Sequence, residues 1–255
     1  MFQSQFILQN AHFSLGLFAA FVFFACFWLY LDAWMLKRKA IDSLKPLGFL
    51  LLSFSFAIHA TGLEATILTD ALLPNSLHQF LFTLFRISGY SVLILGVGFN
   101  PLQKNPHAFV LIPAGFALID LSFLSLPLLC ALVGLMYLRR ASFDLEGHLK
   151  PVALAFFILS LSEIASLSSF FRTSDNITLL QLISPFGLFW FLEHILLIVV
   201  LVILGRWVFG YLLKRIETQL IMLFTGSVMV IFLVTTVSFT YLLLRDLQKN
   251  LLSYL

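Results

Sequence analysis

Charged side chains are scarce in this chain of 255 residues, because only 11% of them are Asp, Glu, Lys or Arg. Soluble domains contain about 25% of such residues. Hydrophobic residues make up 61% of the sequence, and the mean hydropathy is +1.03. Folding in water would expose too much apolar surface, so the composition predicts an integral membrane protein, whose 30 phenylalanines would fit lipid-facing helices. The apolar runs are continuous rather than alternating, which indicates helices and not an outer-membrane barrel.

Cysteines and catalytic motifs are also scarce. The two cysteines, Cys26 and Cys130, lie within apolar runs without a CxxC spacing, so neither a disulfide framework nor a zinc site is predicted. The chain has no P-loop, GxSxG or HExxH motif, and its Gly-x-Gly at 96–98 follows an apolar run instead of a strand. No motif therefore indicates an enzyme. Nucleic-acid binding is not expected, since the net charge of +3 comes from basic residues scattered at the ends of apolar runs.

Eight apolar segments predict an all-α, polytopic integral membrane helix bundle of about eight transmembrane helices. Their predicted bounds are 14–36, 47–65, 78–99, 107–121, 124–138, 151–171, 183–207 and 219–243. The stretch 107–138 would be about 48 Å long as one helix, which exceeds the hydrocarbon thickness of about 30 Å. Pro113 and Pro127 also interrupt it. We therefore expect two short spans there, with a re-entrant pair or one kinked helix as the alternatives.

The distribution of basic residues predicts the orientation of the bundle. Eleven of the fifteen Lys and Arg residues fall on one side of the predicted spans, at positions 37, 38, 39, 45, 104, 139, 140, 150, 206, 214 and 215. Three fall on the other side, at positions 172, 245 and 249, and Arg86 lies within a span. Because basic loops stay in the cytoplasm, we expect a multi-pass protein of the cytoplasmic (inner) membrane with both termini outside. No basic region precedes the first apolar run, so no cleavable signal peptide is predicted.

A weak internal similarity indicates a repeat. The segment 45–50 resembles 150–155, and the sequence Leu-Ile-Leu-Gly at 93–96 resembles Val-Ile-Leu-Gly at 202–205. Both copies would begin on the same side of the membrane, which would relate spans one to four and five to eight as a parallel 4+4 repeat. Chance similarity is the alternative, because apolar sequence of low complexity produces such matches easily.

Five histidine or charged residues lie six or more residues from either end of the predicted spans: His59, Arg86, Glu163, Glu193 and His194. A charge at the centre of a membrane costs about 2.5–3.5 kcal/mol on insertion scales, so it usually has a partner and often a function. At a rise of about 1.5 Å per residue, these side chains lie about 9 to 16 Å from the outer ends of their spans, in one layer. They are the candidate ligand-binding or proton-linked residues. An ion pair of Arg86 with Glu193 or with Glu163 would compensate the burial of its charge.

This layer has a structural and a functional interpretation. In the structural one, Arg86 neutralises one carboxylate, the other carboxylate is protonated, and neutral histidines form hydrogen bonds across helices. In the functional one, Glu163 or Glu193 titrates beside a histidine partner, His59 or His194, in a cavity that opens outward. The sequence alone leaves both interpretations open.

Cofactor binding is weakly supported by these positions, and we expect no cofactor. Haem with two histidine ligands needs both imidazoles at one height, whereas His59 and His194 differ in predicted height by about 7 Å. No spacing among the five residues selects a metal site. Three other histidines, His12, His78 and His107, lie near predicted span ends, where an interfacial position explains them.

The segment 214–255 is predicted to be a unit distinct from the seven-span bundle 1–213. It begins with the basic pair Lys214-Arg215, continues as an apolar helix, and keeps helical periodicity through 244–252. This pattern resembles the first transmembrane helix of bacterial sensor histidine kinases and chemoreceptors, where a basic flank leads through one span into a helix that opens an extracytoplasmic sensor domain. The preceding spans resemble, in layout, the multi-span input modules of some histidine kinases.

The resemblance and the buried charges together imply a function. We expect a membrane-embedded sensory or ligand-binding module of a bacterial signalling system, at which a proton or a small hydrophobic or protonatable ligand acts. The sequence contains no dimerisation-histidine helix or ATP-binding domain, so a signalling partner or downstream domains would provide the output, and the module could form a homodimer. The alternatives are a small transporter or channel that uses carboxylates within the membrane, a b-type haem protein, and an assembly subunit.

Overall fold

A computed structural model describes residues 2–37, 40–65, 75–98, 122–143, 146–167, 182 and 187–212, with isolated positions between 224 and 235. Within these residues the chain is helical and contains no strand. Their α-helices are α1 (Phe2–Lys37), α2 (Leu44–Ala65), α3 (Asn75–Gly98), α4 (Ser122–Phe143), α5 (Lys150–Ser166) and α6 (Leu188–Leu212). Short 3-10 helices at Ala40–Ser43 and Gly147–Leu149 precede α2 and α5.

The described residues contain five helical stretches that are long and apolar enough to cross a membrane, as expected for an all-α membrane protein. These candidate spans are Leu8–Leu36, Ile41–Gly62, Leu77–Gly98, Gly147–Ser166 and Leu188–Leu212. They correspond to the first, second, third, sixth and seventh predicted spans. Helix α4 covers the predicted span 124–138 but is not among the five. The predicted span 107–121 and most of 219–243 lie outside the described residues, so neither eight spans nor the 4+4 repeat is established.

The chain divides into two units, Met1–Gly210 and Tyr211–Leu255. The first unit contains α1 to α5 and most of α6. In the second unit, the described positions are helical, and side chains such as Phe224, Ile231 and Val234 are 71%, 64% and 60% exposed. Such apolar exposure is typical of a helix that faces lipid.

Small residues bring α2 close to its two neighbours in the first unit. A Cβ atom added at Gly48 of α2 would lie 2.6 Å from Cγ of Leu93 in α3, so these helices approach too closely for a larger side chain. On the other side, a Cβ atom at Gly16 of α1 would lie 2.7 Å from Cβ of Ala60 in α2. Close backbone approach at small residues favours helix association in lipid, where the hydrophobic effect does not drive helices together.

The interior of the first unit is mainly aromatic. The ring of Phe156 in α5 lies within 6.5 Å of four other rings, counted between centroids, and stacks on Tyr137 of α4 at 5.8 Å. Phe23 of α1 stacks on Phe56 of α2 at 4.8 Å. Phe23, Phe56 and Phe156 are at most 1% exposed. Phenylalanine therefore fills the bundle interior as well as the lipid-facing surface that the sequence indicated.

Ion pairs and hydrogen bonds gather at one end of the first unit, where α2 and α5 begin and α4 ends. Lys45 pairs with Asp42 at 3.2 Å, and Arg140 pairs with Glu146 at 3.2 Å. Trp207 of α6 donates from Nε1 to the carbonyl of His148, which precedes α5, at 2.9 Å. The buried histidines lie at the opposite end, where α1 and α6 begin and α2 ends.

Candidate functional site

Arg86 and Tyr90 of α3 and Glu163 of α5 form one buried polar group, the arginine cluster. Arg86 and Tyr90 are four residues apart, so they project from the same face of α3. Arg86 Nε donates to Glu163 Oε1 at 2.9 Å, and the Tyr90 hydroxyl donates to the same oxygen at 2.8 Å. Both charged residues are only 4% exposed. The cluster is therefore a sealed, charge-neutral link between α3 and α5.

Two aromatic rings complete the surroundings of the Arg86 guanidinium. Its Cζ lies 4.0 Å from the ring centroid of Phe56 and 4.9 Å from that of Phe82. A cation over an aromatic face gains electrostatic energy, especially when water is excluded. The Nη1 atom of Arg86 is buried and has no hydrogen-bond partner among the described residues, so the two rings and the carboxylate of Glu163 balance this charge.

Three histidines and a glutamate form a second polar group, the histidine cluster, from α1, α2 and α6. His12 of α1 is at its centre, because its Nδ1 lies 2.8 Å from Nε2 of His194 and its Nε2 lies 3.1 Å from the backbone carbonyl oxygen of His59. His194 also approaches the carbonyl oxygen of Trp190 with its Nδ1, at 2.7 Å. These contacts hold α1 against both α2 and α6.

The remaining pair of the histidine cluster is His59 and Glu193. Nε2 of His59 lies 3.7 Å from Oε1 of Glu193, which is longer than a hydrogen bond and within the range of an ion pair if His59 is protonated. The side chains of His59 and Glu193 are 27% and 19% exposed, compared with 5% and 4% for Arg86 and Glu163. The pair of His59 and Glu193 is thus partly exposed, whereas His12 and His194 are buried and the arginine cluster is closed.

Phe82 of α3 lies between the two clusters. The His59 ring stacks on the Phe82 ring with centroids 5.0 Å apart, and the Arg86 guanidinium contacts the same ring. On α5, the hydroxyl of Ser162, next to Glu163, donates to the carbonyl oxygen of Glu193 at 3.1 Å. The clusters are therefore neighbours that are separated by an aromatic ring.

The structure divides the five predicted residues into two groups. Of the two predicted pairings of Arg86, it contains the one with Glu163. His59, Glu193 and His194 gather elsewhere, around His12. Residues at similar depth can face different neighbours, because depth along a helix does not determine the rotation of the helix about its axis.

His12 is the residue that sequence reasoning missed, because its position near a predicted span end left it out of the candidate site. It is 5% exposed and bonded to two other helices. The predicted first span began at 14, whereas α1 already begins at Phe2 and the candidate span within it at Leu8. The apolar triplet 6–8, ahead of the polar pair 9–10, was the signal that could have extended that span to include His12.

A haem between His59 and His194 does not fit this arrangement. Both ring nitrogens of His194 have hydrogen-bond partners within the protein, and one of these partners is His12. Among the described residues, no group of three or more His, Cys, Asp or Glu side chains has the geometry of a metal site. The chemistry that this cluster can perform with its own atoms is the binding and transfer of protons.

Comparison of the chain with protein-family models, with curated proteins and with solved structures found no match. The two clusters are the features of the described residues that bear on function. One is a closed ion pair, and the other combines titratable groups from three helices with partial access to the surroundings.

Proposed function

We propose that this chain is the membrane-embedded sensory module of a bacterial signalling system, and that its sensing site is the histidine cluster of His12, His59, Glu193 and His194. The observation that carries the proposal is the meeting of titratable side chains from α1, α2 and α6 in one partly exposed group. Imidazoles change their charge within the physiological pH range more readily than any other side chain. The ligand is a proton or a small protonatable molecule.

A change of charge at this cluster would alter how α1 packs against α6. These two helices are joined here by the hydrogen bond between His12 and His194, and the protonation state of both rings decides whether that bond forms. The arginine cluster has the opposite role, because its two charges neutralise each other and hold α3 to α5. We therefore assign movement to α1 and α6 and a fixed frame to α3 and α5.

The proposal includes the finer topology indicated by the sequence. Eight spans arranged as a parallel 4+4 repeat, with both termini outside the cytoplasmic membrane, would place the histidine cluster at the outer end. The gathering of Lys45, Arg140 and Lys150 at the other end supports that orientation, because basic residues stay on the cytoplasmic side. Segment 211–255 would transmit the signal to a partner, to downstream domains or to a second copy of the chain.

Distances between spin labels on the full chain in lipid nanodiscs test the proposal. Labels at Ala11 on α1 and Leu192 on α6 report on the sensing site, since both side chains are exposed. We expect the distance between them to change reversibly across the neutral pH range. Labels at Leu84 on α3 and Ile164 on α5, which are also exposed, should keep their distance.

Two substitutions supply the matched control for this measurement. His194→Gln should abolish the pH response, because glutamine does not titrate. His78→Gln should retain it, since His78 lies against the carbonyl oxygen of Ile58 and is not part of the hydrogen-bond chain through His12 and His194. An α1–α6 distance that ignores pH, or that responds equally in His194→Gln, contradicts the proposal. Solute uptake into liposomes that depends on Glu193 would instead support the transporter alternative.

A further inference from the structure

We propose that His12 and His194 bind one proton more than two neutral imidazoles can hold, and so form an imidazole–imidazolium pair between two backbone carbonyls. The inference deepens the proposed function by naming its ligand as a proton. Its regulatory meaning rests on that proposed function, whereas the number of protons rests on hydrogen-bond geometry alone.

The two rings form a continuous chain of three hydrogen bonds. It begins at the carbonyl oxygen of Trp190, which lies 2.7 Å from Nδ1 of His194. Nε2 of His194 then lies 2.8 Å from Nδ1 of His12. The chain ends where Nε2 of His12 approaches the carbonyl oxygen of His59 at 3.1 Å. All four ring nitrogens are therefore used, and both ends of the chain are acceptors only.

Counting donors along this chain gives the number of protons. A carbonyl oxygen cannot donate, so Nδ1 of His194 and Nε2 of His12 must each carry a hydrogen. The central bond between the rings needs one further hydrogen, on either nitrogen. Three hydrogens on two imidazoles amount to one positive charge, because each neutral ring carries one. In a neutral pair, two lone pairs would face each other at 2.8 Å or a lone pair would face a carbonyl oxygen.

Glu193 supplies the charge that compensates the additional proton. Burial opposes a positive charge on His12 and His194, and a nearby carboxylate favours it. Glu193 directly precedes His194 on α6. Its Oε1 also lies 3.7 Å from Nε2 of His59. The histidine pair and Glu193 together can therefore be neutral overall.

The other titratable groups around the pair come from α2 and α3. The His59 ring contacts the His12 ring edge-on with centroids 4.8 Å apart. His78 and Arg86 of α3 interact electrostatically with His59. Arg86 is already balanced by Glu163, so Glu193 is the carboxylate of the histidine cluster that can compensate a third proton.

Loss of the third proton would remove one of the three hydrogen bonds. Either the bond that joins α1 to α6 or one of the two bonds to carbonyl oxygens has to break. The proton itself can move between Nε2 of His194 and Nδ1 of His12 without any side chain changing position. Protonation is coupled to the contact between α1 and α6 when the bond that breaks is the one between His12 and His194.

Histidine side-chain ¹⁵N NMR of the full chain in lipid nanodiscs counts these protons. At neutral pH, we expect three of the four ring nitrogens of His12 and His194 to be protonated. We also expect a scalar coupling across the central hydrogen bond, between Nε2 of His194 and Nδ1 of His12. Spectra of His12→Gln and His194→Gln assign the signals by their disappearance. His78 is the matched control, because its Nε2 lies 2.6 Å from the carbonyl oxygen of Ile58 and 3.4 Å from Oγ1 of Thr61, and these contacts need only that one nitrogen to be protonated.

Glu193→Gln tests the compensating charge. Without this carboxylate, the pair should release its third proton at a lower pH, with a proton affinity reduced about tenfold or more. A wild-type pair with two or four protonated nitrogens at neutral pH overturns the inference, as does a metal ion found between the rings by elemental analysis.

The outcomes separate this inference from the proposed function. Three protons on the pair, together with an α1–α6 distance that ignores pH, would support the proton site and contradict the sensory function. A pH-dependent distance with only two protons on the pair would overturn the proton site and support the sensory function.

Discussion

The arginine cluster and the histidine cluster are neighbours in the same apolar bundle, yet they compensate buried charge in different ways. In the arginine cluster, one cation meets one anion, and a tyrosine hydroxyl donates to the same carboxylate oxygen. In the histidine cluster, three hydrogen bonds connect two rings to two carbonyl oxygens, so the charge depends on the proton count. The first arrangement pairs its two charges with each other. The second changes its bonding when a proton is lost.

The largest difference between the clusters should appear when a charged partner is removed. Glu163→Gln leaves the Arg86 charge buried without its counter-ion, which should destabilise the folded protein by about 3–5 kcal/mol. Unfolding in mixed micelles, followed by circular dichroism, measures this loss. Adding Arg86→Met to Glu163→Gln should recover part of the stability, since no charge then remains. A Glu163→Gln variant as stable as the wild type would contradict a sealed ion pair.

Tyr90→Phe should have the next largest effect. It removes a hydrogen bond to a carboxylate, and such bonds contribute about 1.5–3 kcal/mol. The Tyr90 hydroxyl is fully buried within the bundle and donates to Glu163 at 2.8 Å, so water cannot replace it. The loss should be the same at every pH across the neutral range. A loss that varies with pH would show that the arginine cluster titrates, and the contrast with the histidine cluster would disappear.

The histidine cluster should give a smaller effect that depends on pH. If the pair is an imidazole–imidazolium pair, as we propose, the folded protein holds its third proton more tightly than the unfolded chain does. Its contribution is then present at low pH, and about 0.5–1.5 kcal/mol is lost as the pH rises and the third proton leaves. The unfolding free energy of the wild type should fall over this range. In His194→Gln it should be independent of pH there. A parallel fall in both proteins would place the titration elsewhere.

Trp190 offers an optical measurement of the same event. Its ring stacks on the His194 ring with centroids 3.8 Å apart, and an imidazolium quenches indole fluorescence more strongly than a neutral imidazole. Fluorescence should therefore increase as the pH rises. Trp190→Phe, which leaves the other three tryptophans in place, should remove the increase. If the increase persists in that variant, another tryptophan is responsible.

The smallest effect is expected at the other end of the bundle. Glu146→Gln breaks the ion pair with Arg140. The side chain of Glu146 is 35% exposed and that of Arg140 is 17% exposed, and such pairs contribute about 0–1 kcal/mol. This variant is the control for Glu163→Gln, because the chemical change is identical, whereas Glu163 is buried and also accepts a hydrogen bond from Tyr90. An equal loss in both variants would show that burial does not distinguish them.

The sequence was sufficient to predict the helices but not their neighbours. Apolar runs and flanking basic residues indicated five spans that the described residues contain, and the cost of a buried charge indicated a partner for Arg86. His12 was missed because its importance depends on α1 lying beside α6. At this contact, His12 and His194 are 182 residues apart in the sequence. No local pattern encodes that proximity. Likewise, depth placed Glu163 and Glu193 in one layer, whereas the rotation of α5 and α6 gives them different partners.

The α1–α6 distance in a His12→Gln/His194→Gln double variant tests the division of roles between the clusters most directly. Spin labels at Ala11 and Leu192 would be compared in the double variant and the otherwise unchanged protein across the neutral pH range. We expect the distance to change with pH in the protein that keeps both histidines and to be independent of pH in the double variant. The same pH response in both proteins would contradict the account.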